Sequence, residues 1–173
     1  MLHKLPIITV PNPLLREPST MVDISTISDP NFQNLLDTMI HTMYTDDGIG
    51  LAAPQIAVQK RIIVIGKDAF KTHAPLPFDM ATDLVLINPE LENYSWRTNI
   101  DEEGCLSVPD VRGDVERHTT LTASAFDRFG IKICFTAHDY FARVLQHEVD
   151  HINGVLFIDR ARKVFKTKTV KIL

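Results

Sequence analysis

The stretch that decides the fold is DYFARVLQHEVDHING, residues 139–154. Asp139 is a residue of the N-cap type and Gly154 is a natural C-terminal stop, so we predict a helix between them. The helix contains HEVDH at 147–151, which matches the pattern H-E-x-x-H. Residues four apart lie on one helix face, so both imidazoles can bind one metal ion. Glu148 flanks that point, where it can contact a metal-bound water without being a ligand.

A third metal ligand has to come from elsewhere in the chain. Two histidines can share a helix face by chance, but Glu148 stands in the one position that the chemistry requires. A catalytic metal site needs a third protein ligand and an open position for water. The best candidate is Cys105, because EGCLSVP at 103–109 is a short loop-like segment from which a thiolate can project. A free cysteine is more often a small buried hydrophobe, so both interpretations of Cys105 stay open on spacing alone.

A glycine-rich segment, GIGLAAPQ at 48–55, forms a third notable feature. Two glycines this close together allow unusual backbone dihedrals or the close approach of another chain. The segment is either a tight connection between a helix and a strand or a peptide-binding edge. In the second interpretation, the polar side chain of Gln55 reaches into a site.

The rest of the chain supplies the elements around the HEVDH helix. With 173 residues and 45% hydrophobic side chains, we expect one compact domain over residues 1–173. Asp29-Pro30 and the apolar spacing after it predict an N-terminal helix over about 30–44. Strands are predicted in four apolar segments: 61–65, 84–87, 121–126 and 131–135. Strands without regular βαβ alternation indicate an α+β fold, in which antiparallel β-sheets pack around the central HEVDH helix, with the additional N-terminal helix.

Two local details complete this prediction. The turn composition of 127–130 joins the last two strands into a hairpin over 119–137, which makes Cys134 a strand residue that we expect to serve packing. The segment between Gly66 and Thr82 contains two prolines and is predicted to be a surface loop.

Charge and composition exclude several classes of protein. The formal net charge of −4 gives no reason to expect DNA binding. No run approaches the roughly 20 apolar residues of a membrane span, and the N-terminal residues lack the basic, apolar and small-residue order of a signal peptide, so we expect a cytoplasmic protein without a membrane partner. Two cysteines are too few for a disulfide framework.

The C-terminal tail, 160–173, is the one basic segment. Its basic residues are Arg160, Arg162, Lys163, Lys166, Lys168 and Lys171. The tail is either a docking strip for something anionic or a solvated terminus. Its β-branched, partly alternating residues from 164 to 172 favour a strand over a helix.

Taken together and in this order, GIGLAAPQ at 48–55, EGCLS at 103–107 and QHEVDH at 146–151 resemble the peptide deformylase family. The similarity extends to INP at 87–89 and NGVLF at 153–157, and so covers about residues 5–159. The resemblance implies a metal-dependent hydrolase that removes the formyl group from the N-terminal formyl-methionine of nascent proteins and releases formate. It also implies one divalent metal ion per chain, with Fe²⁺ expected in the cell and Zn²⁺, Ni²⁺ or Co²⁺ possible.

The resemblance assigns roles to individual residues of this sequence. The implied metal ligands are Cys105, His147 and His151, with water as the fourth. Glu148 is the implied general acid and base, and the Gln55 side chain and the Leu106 backbone N–H are implied to stabilise the oxyanion. The implied substrate-binding residues are Ile49, Gly50, Tyr140, Arg143 and Val144, of which the first two pair their backbones with the peptide and the others line the methionine pocket. Glu103 and Arg117 match a buried carboxylate–arginine pair.

The same residues bear on two alternative functions, a metalloprotease and a metal-binding module, and on contact with the ribosome. A metalloprotease with the same motif usually takes its third ligand downstream of the helix, but no histidine follows His151 and Asp159 is the only acidic residue there. A non-catalytic metal-binding module would have no need of Glu148 and Gln55. Many family members contact the ribosome through a long C-terminal helix, so the strand-like tail predicts that any transient ribosome contact takes another route.

Overall fold

The computed structural model describes residues 2–73 and 75–167, which form two antiparallel β-sheets and three α-helices. In chain order the strands are β1 (Gly50–Ala52), β2 (Ile62–Ile65), β3 (Leu84–Glu92), β4 (Thr98–Cys105), β5 (Val108–His118), β6 (Thr120–Phe126), β7 (Lys132–His138) and β8 (Lys163–Lys166). The helices are α1 (Pro30–Thr45), α2 (Asp139–Ile152) and α3 (Phe157–Arg160). Short 3-10 turns lie at Pro13–Arg16, Ile24–Thr26, Ala53–Ile56 and Lys67–Ala69. One sheet has the order β1-β2-β3-β6-β7 and the other the order β4-β5-β8.

The strand β2, inside the five-stranded sheet, is buried on both faces, which explains its continuous apolar run. Ile63 and Ile65 pack on the side of α2, together with Leu145 and Val149 of that helix. Ile62 and Val64 face the other way and pack with α1. Successive side chains of a strand point to opposite faces, so a strand between two helical layers needs apolar residues at every position. The helix α2 also contacts β5 of the second sheet, and this central position confirms the predicted α+β fold.

The predicted helices are confirmed, with one change at the start of α2. Asp29 caps α1 as predicted, since its side chain accepts hydrogen bonds from the N–H groups of Asn31 and Phe32. The predicted N-cap at Asp139 is wrong. The cap position is His138, and Asp139 itself has a φ of 49° and donates its N–H to Thr119 O at 2.7 Å. Because β7 runs directly into α2, the last extended residue becomes the cap.

The four predicted strands and the β6–β7 hairpin are confirmed, but three local expectations need correction. Cys134 is exposed, because it lies with Lys132 and Thr136 on the polar face of β7. The supposed surface loop after Gly66 contains a 3-10 turn and the buried ring of Phe70, which packs in the core. The segment 103–109 is the end of β4, a two-residue connection and the start of β5, so it is a hairpin rather than a loop.

The C-terminal tail starts at the last residue of α3 and then forms the first part of the predicted strand. Residues 163–166 form β8, which pairs with β5, while Lys168 and Lys171 lie outside the described residues. Arg160 forms an ion pair with Asp150, and Arg162 forms one with Glu116. Among the helices in the described ranges, none is long and apolar enough to cross a membrane.

Candidate metal centre and active site

Three potential metal ligands from two elements meet beside α2. Cys105 is the last residue of β4, and His147 and His151 lie one helical turn apart on α2. Cys105 Sγ is 3.2 Å from His151 Nε2, and the ligand atoms of all three residues lie within 4.8 Å of one another. Within residues 2–73 and 75–167 no other group of three His, Cys, Asp or Glu side chains comes this close. A thiolate with two imidazoles suits zinc, ferrous iron, cobalt or nickel.

The ring of His147 is oriented by a carboxylate. His147 Nδ1 lies 2.9 Å from Glu103 Oε2, so Nε2 is the nitrogen left for a metal ion. Glu103 in turn accepts two hydrogen bonds from Arg117, at 2.9 and 3.0 Å, and one from Arg143 at 2.7 Å. The structure therefore brings together Glu103 and Arg117 as a buried pair directly behind the metal ligand.

The buried pair is part of a larger charge network that sequence reasoning missed. Asp150 accepts a hydrogen bond from Arg117 at 2.6 Å and two from Arg160, both at 2.6 Å. Asp150 belongs to the HEVDH motif, where a second acidic residue next to a ligand histidine was an available signal. Arg160 carried no such signal, because only the path of α3 brings it back to α2.

Burial and neighbouring charges set the protonation states of the site in the absence of a metal ion. Burial opposes ionisation of Glu103, but the hydrogen bonds from His147 and Arg117 outweigh it and hold its pKa well below the usual range. Burial alone would lower the pKa of His147, yet its bonds to Cys105 and Glu103 raise that pKa to about 10. Burial and the nearby His147 lower the pKa of His151 well below its usual value. Ligation needs both imidazoles neutral, so metal binding displaces the proton of His147.

Glu148 presents an unpaired carboxylate oxygen to the site. The side chain is 4% exposed, and its Oε2 has no hydrogen-bond partner among the described residues. Burial raises the pKa of Glu148 to about 7. A Cβ atom at Gly50 would lie 2.3 Å from Glu148 Oε1, so only glycine leaves room for this carboxylate. A buried, unpartnered acceptor beside two imidazoles and a thiol is the arrangement that a metal ion with a water ligand would complete.

Gln55 places its amide beside the cysteine. Its Oε1 accepts a hydrogen bond from Ala52 N–H at 2.8 Å, and its Nε2 lies 3.5 Å from Cys105 Sγ and 3.2 Å from Ser107 Oγ. The contact with Ser107 was not predicted, although the residue stands in the EGCLS motif.

One open cleft of about 490 Å³ is lined by Gln55, Glu103, Cys105, His147 and Glu148. The cleft is also lined by the other residues that the sequence singled out: Ile49, Gly50, Leu106, Tyr140, Arg143 and Val144. Arg143 differs from the expectation of a simple pocket wall. Its guanidinium group is buried and donates to Glu103, to Val115 O at 3.0 Å and to the backbone and side chain of Asn99. Because its guanidinium donors are already engaged, Arg143 can contact a ligand only through its outer surface, the part of the side chain that lines the cleft.

Comparison with known proteins agrees with this geometry. The sequence profile of the family described as polypeptide deformylase matches residues 4–167. A peptide deformylase of Desulforudis audaxviator is 39% identical over 162 residues, which are 94% of this chain and 96% of that protein. A peptide deformylase of Rhizobium meliloti is 42% identical over 166 residues, which are 96% of this chain and 90% of that protein.

The similarity extends to three dimensions. A crystal structure of the class I type b peptide deformylase from Acinetobacter baumannii, with Met-Ala-Ser bound, has a TM-score of 0.82 and 33% sequence identity. The match covers 92% of this chain and 99% of that chain. The profile, the relatives and the fold agree over nearly the whole length, and the chain therefore belongs to the peptide deformylase family, whose members are metal-dependent hydrolases that remove the formyl group from N-terminal methionine.

Proposed function

We propose that this chain, as one catalytic domain over residues 1–173, hydrolyses N-formyl-methionyl peptides at the site built by Cys105, His147, His151 and Glu148. The observation that carries the proposal is the unpaired Glu148 carboxylate beside three converging ligand atoms. The products are formate and a peptide with a free methionine amine.

Cys105, His147 and His151 would hold one divalent metal ion. When bound, such an ion supplies Lewis-acid polarisation and lowers the pKa of water from 15.7 to about 7. We propose Fe²⁺ as the ion in the cell, with Zn²⁺, Ni²⁺ or Co²⁺ as substitutes that the same ligand set accepts. The hydrogen bond from His147 Nδ1 to Glu103 keeps the Nε2 lone pair available to the ion.

Glu148 would carry the proton through the reaction. Its carboxylate accepts the proton of the attacking water and later delivers it to the departing amine. Because burial raises the pKa of Glu148 to about 7, the group can both take up and release a proton near neutral pH. No side chain or backbone group within residues 2–73 and 75–167 competes for Oε2 through a hydrogen bond, which supports this role.

Gln55 and Leu106 would stabilise the oxyanion that forms on the formyl carbon. Gln55 Nε2 lies 3.5 Å from the thiol of Cys105, and both residues line the cleft, so the amide can donate to a carbonyl oxygen bound there. The second donor would be the backbone N–H of Leu106, the residue after Cys105. Donors fixed before the reaction stabilise the transition state without reorganisation.

The substrate peptide would lie along β1. This strand is at the edge of its sheet, so backbone groups of Gly50 can pair with an extended peptide. Ile49, the residue before the strand, would add to this pairing, although its carbonyl already accepts a hydrogen bond from Gly66 N–H at 2.8 Å. Tyr140, Val144 and the outer surface of Arg143 would line the pocket for the methionine side chain. The relative from Acinetobacter baumannii with Met-Ala-Ser bound supports a peptide of this kind as ligand.

The proposed physiological substrates are nascent chains, and the proposed compartment is the cytoplasm. Lys163 and Lys166 of β8 are exposed and are the candidates for a transient ribosome contact. Neither DNA nor a membrane is a proposed partner.

The test is release of formate from formyl-Met-Ala-Ser by the metal-loaded protein. We expect wild-type protein to release formate and to leave unformylated Met-Ala-Ser intact. Glu148→Ala should keep its metal content but lose nearly all turnover. Cleavage of internal peptide bonds would instead indicate a metalloprotease, and metal binding without any turnover would indicate a binding module.

A further inference from the structure

The hydroxyl of Ser107 is buried beside the proposed oxyanion donor and has no role in the mechanism above. Ser107 is 0% exposed and lies in the two-residue connection between β4 and β5. Its Oγ accepts a hydrogen bond from Gln55 Nε2 at 3.2 Å. The hydroxyl is therefore in direct contact with the group that has to point at the developing negative charge.

The contacts at the two ends of the Gln55 amide define its orientation. Ala52 N–H can only donate, so the amide atom 2.8 Å from it is the oxygen. The other end is consequently the nitrogen, which contacts Cys105 in the cleft wall and the buried hydroxyl of Ser107 behind it. The terminal torsion of a glutamine side chain is broad, so a contact at one end leaves the amide plane free to turn. Ser107 supplies the contact at the other end.

We propose that Ser107 is a positioning residue, which holds Gln55 Nε2 toward the reacting carbonyl through its hydroxyl. This inference rests on the proposed oxyanion role of Gln55. The backbone of Ser107 makes its own contacts, since its N–H donates to Cys105 Sγ at 3.4 Å and its carbonyl accepts from Val10 N–H at 2.9 Å. Ser107→Ala thus deletes the contact to Gln55 and leaves the chain beside the metal ligand in place.

A double-mutant cycle tests the proposal with four proteins: wild type, Ser107→Ala, Gln55→Ala and the double variant. Each is loaded with the same metal, its metal content is measured, and kcat and KM are determined with formyl-Met-Ala-Ser. We expect Ser107→Ala to lower kcat about tenfold, with KM and metal content within about twofold of wild type. In the Gln55→Ala background the same substitution should change kcat by less than about twofold, because the group that Ser107 positions is gone.

Ser19→Ala is the matched control. Ser19 is also buried, at 8% exposure, and its hydroxyl donates to Gln59 Oε1 at 3.2 Å, but this glutamine, unlike Gln55, does not line the cleft. We expect wild-type kcat for this variant. All assays run well below the unfolding midpoint measured for each protein, so that loss of folded enzyme does not contribute.

The outcomes separate this inference from the proposed function. No formate release by wild type, or full activity of Gln55→Ala, would overturn the proposed chemistry itself. If Gln55→Ala is slow but Ser107→Ala is as fast as wild type, only the positioning role is overturned. The same factor lost in both backgrounds would also overturn it, because Ser107 would then act independently of Gln55.

Discussion

Replacing Arg117 by methionine perturbs the buried charge network behind the metal site. Arg117 is 3% exposed and donates to Glu103 at 2.9 and 3.0 Å and to Asp150 at 2.6 Å. Methionine keeps much of the apolar volume and removes the charge. Removing one partner of a buried ion pair costs about 3–5 kcal/mol, because the other charge is left uncompensated. In the variant, Glu103 still has its ion pair with Arg143, and Asp150 still has its ion pair with Arg160. We therefore expect a loss of unfolding free energy at the lower end of this range, about 3 kcal/mol.

The assay is thermal unfolding at neutral pH, followed by circular dichroism. Chelator-treated proteins are compared, so that metal binding adds no stability. For a chain of this size, the loss corresponds to a Tm lower by about 6–12 °C. Arg162→Met is the control, because its ion pair with Glu116 joins side chains that are 56% and 39% exposed. Such a pair is worth less than about 1 kcal/mol, and an equally small loss for Arg117→Met would refute the reasoning.

The penalty should also depend on pH. Burial opposes ionisation of Glu103, but His147 and Arg117 hold its folded-state pKa below the ordinary 4.5. A lowered carboxyl pKa contributes stability above the unfolded-state pKa, and this stability is lost as the pH falls through the folded-state pKa. Arg117→Met removes one of the groups that lower the folded-state pKa of Glu103. The difference in unfolding free energy between wild type and variant should therefore be full at neutral pH and shrink below about pH 4.5. A difference that grew on acidification would contradict an ionised Glu103.

Three further predictions concern turnover and metal. Gln55→Ala should cost about 2.7–4 kcal/mol of transition-state stabilisation. We therefore expect kcat to fall hundreds-fold while the metal content is retained. Turnover near the wild-type rate would show that Gln55 does not stabilise the oxyanion. Gly50→Ala would place its Cβ 2.3 Å from Glu148 Oε1 and so displace the Glu148 carboxylate. We expect a folded protein whose kcat is lower by at least about tenfold. Unchanged formate release would show that the position of this carboxylate is not critical. Removal of the metal by a chelator should abolish formate release and lower the unfolding midpoint, with both restored on adding Zn²⁺ or Fe²⁺; a midpoint that does not respond to metal would argue against ligation by the folded site.

Local patterns in the sequence predicted most of the secondary structure. The Asp29-Pro30 signal and apolar spacing led to α1, and alternation led to the β6–β7 hairpin. The error at the start of α2 arose because two neighbouring elements compete for one residue. Asp139 has the chemistry of an N-cap, yet the strand before it extends to His138 and takes the cap position. For Cys134 the polar alternation of β7 was already in the sequence and predicts the exposed face correctly when it is applied.

That two imidazoles and a carboxylate share one region of α2 follows from the linear pattern, because helical periodicity alone sets the relative direction of residues 147, 148 and 151. Which third ligand joins them depends on long-range packing, since Cys105 reaches His151 only when the β4–β5 hairpin packs against the helix. The same holds for the network of Glu103, Arg117, Asp150 and Arg160. Ion pairs between distant segments depend on strand register and helix docking, and a linear pattern contains neither.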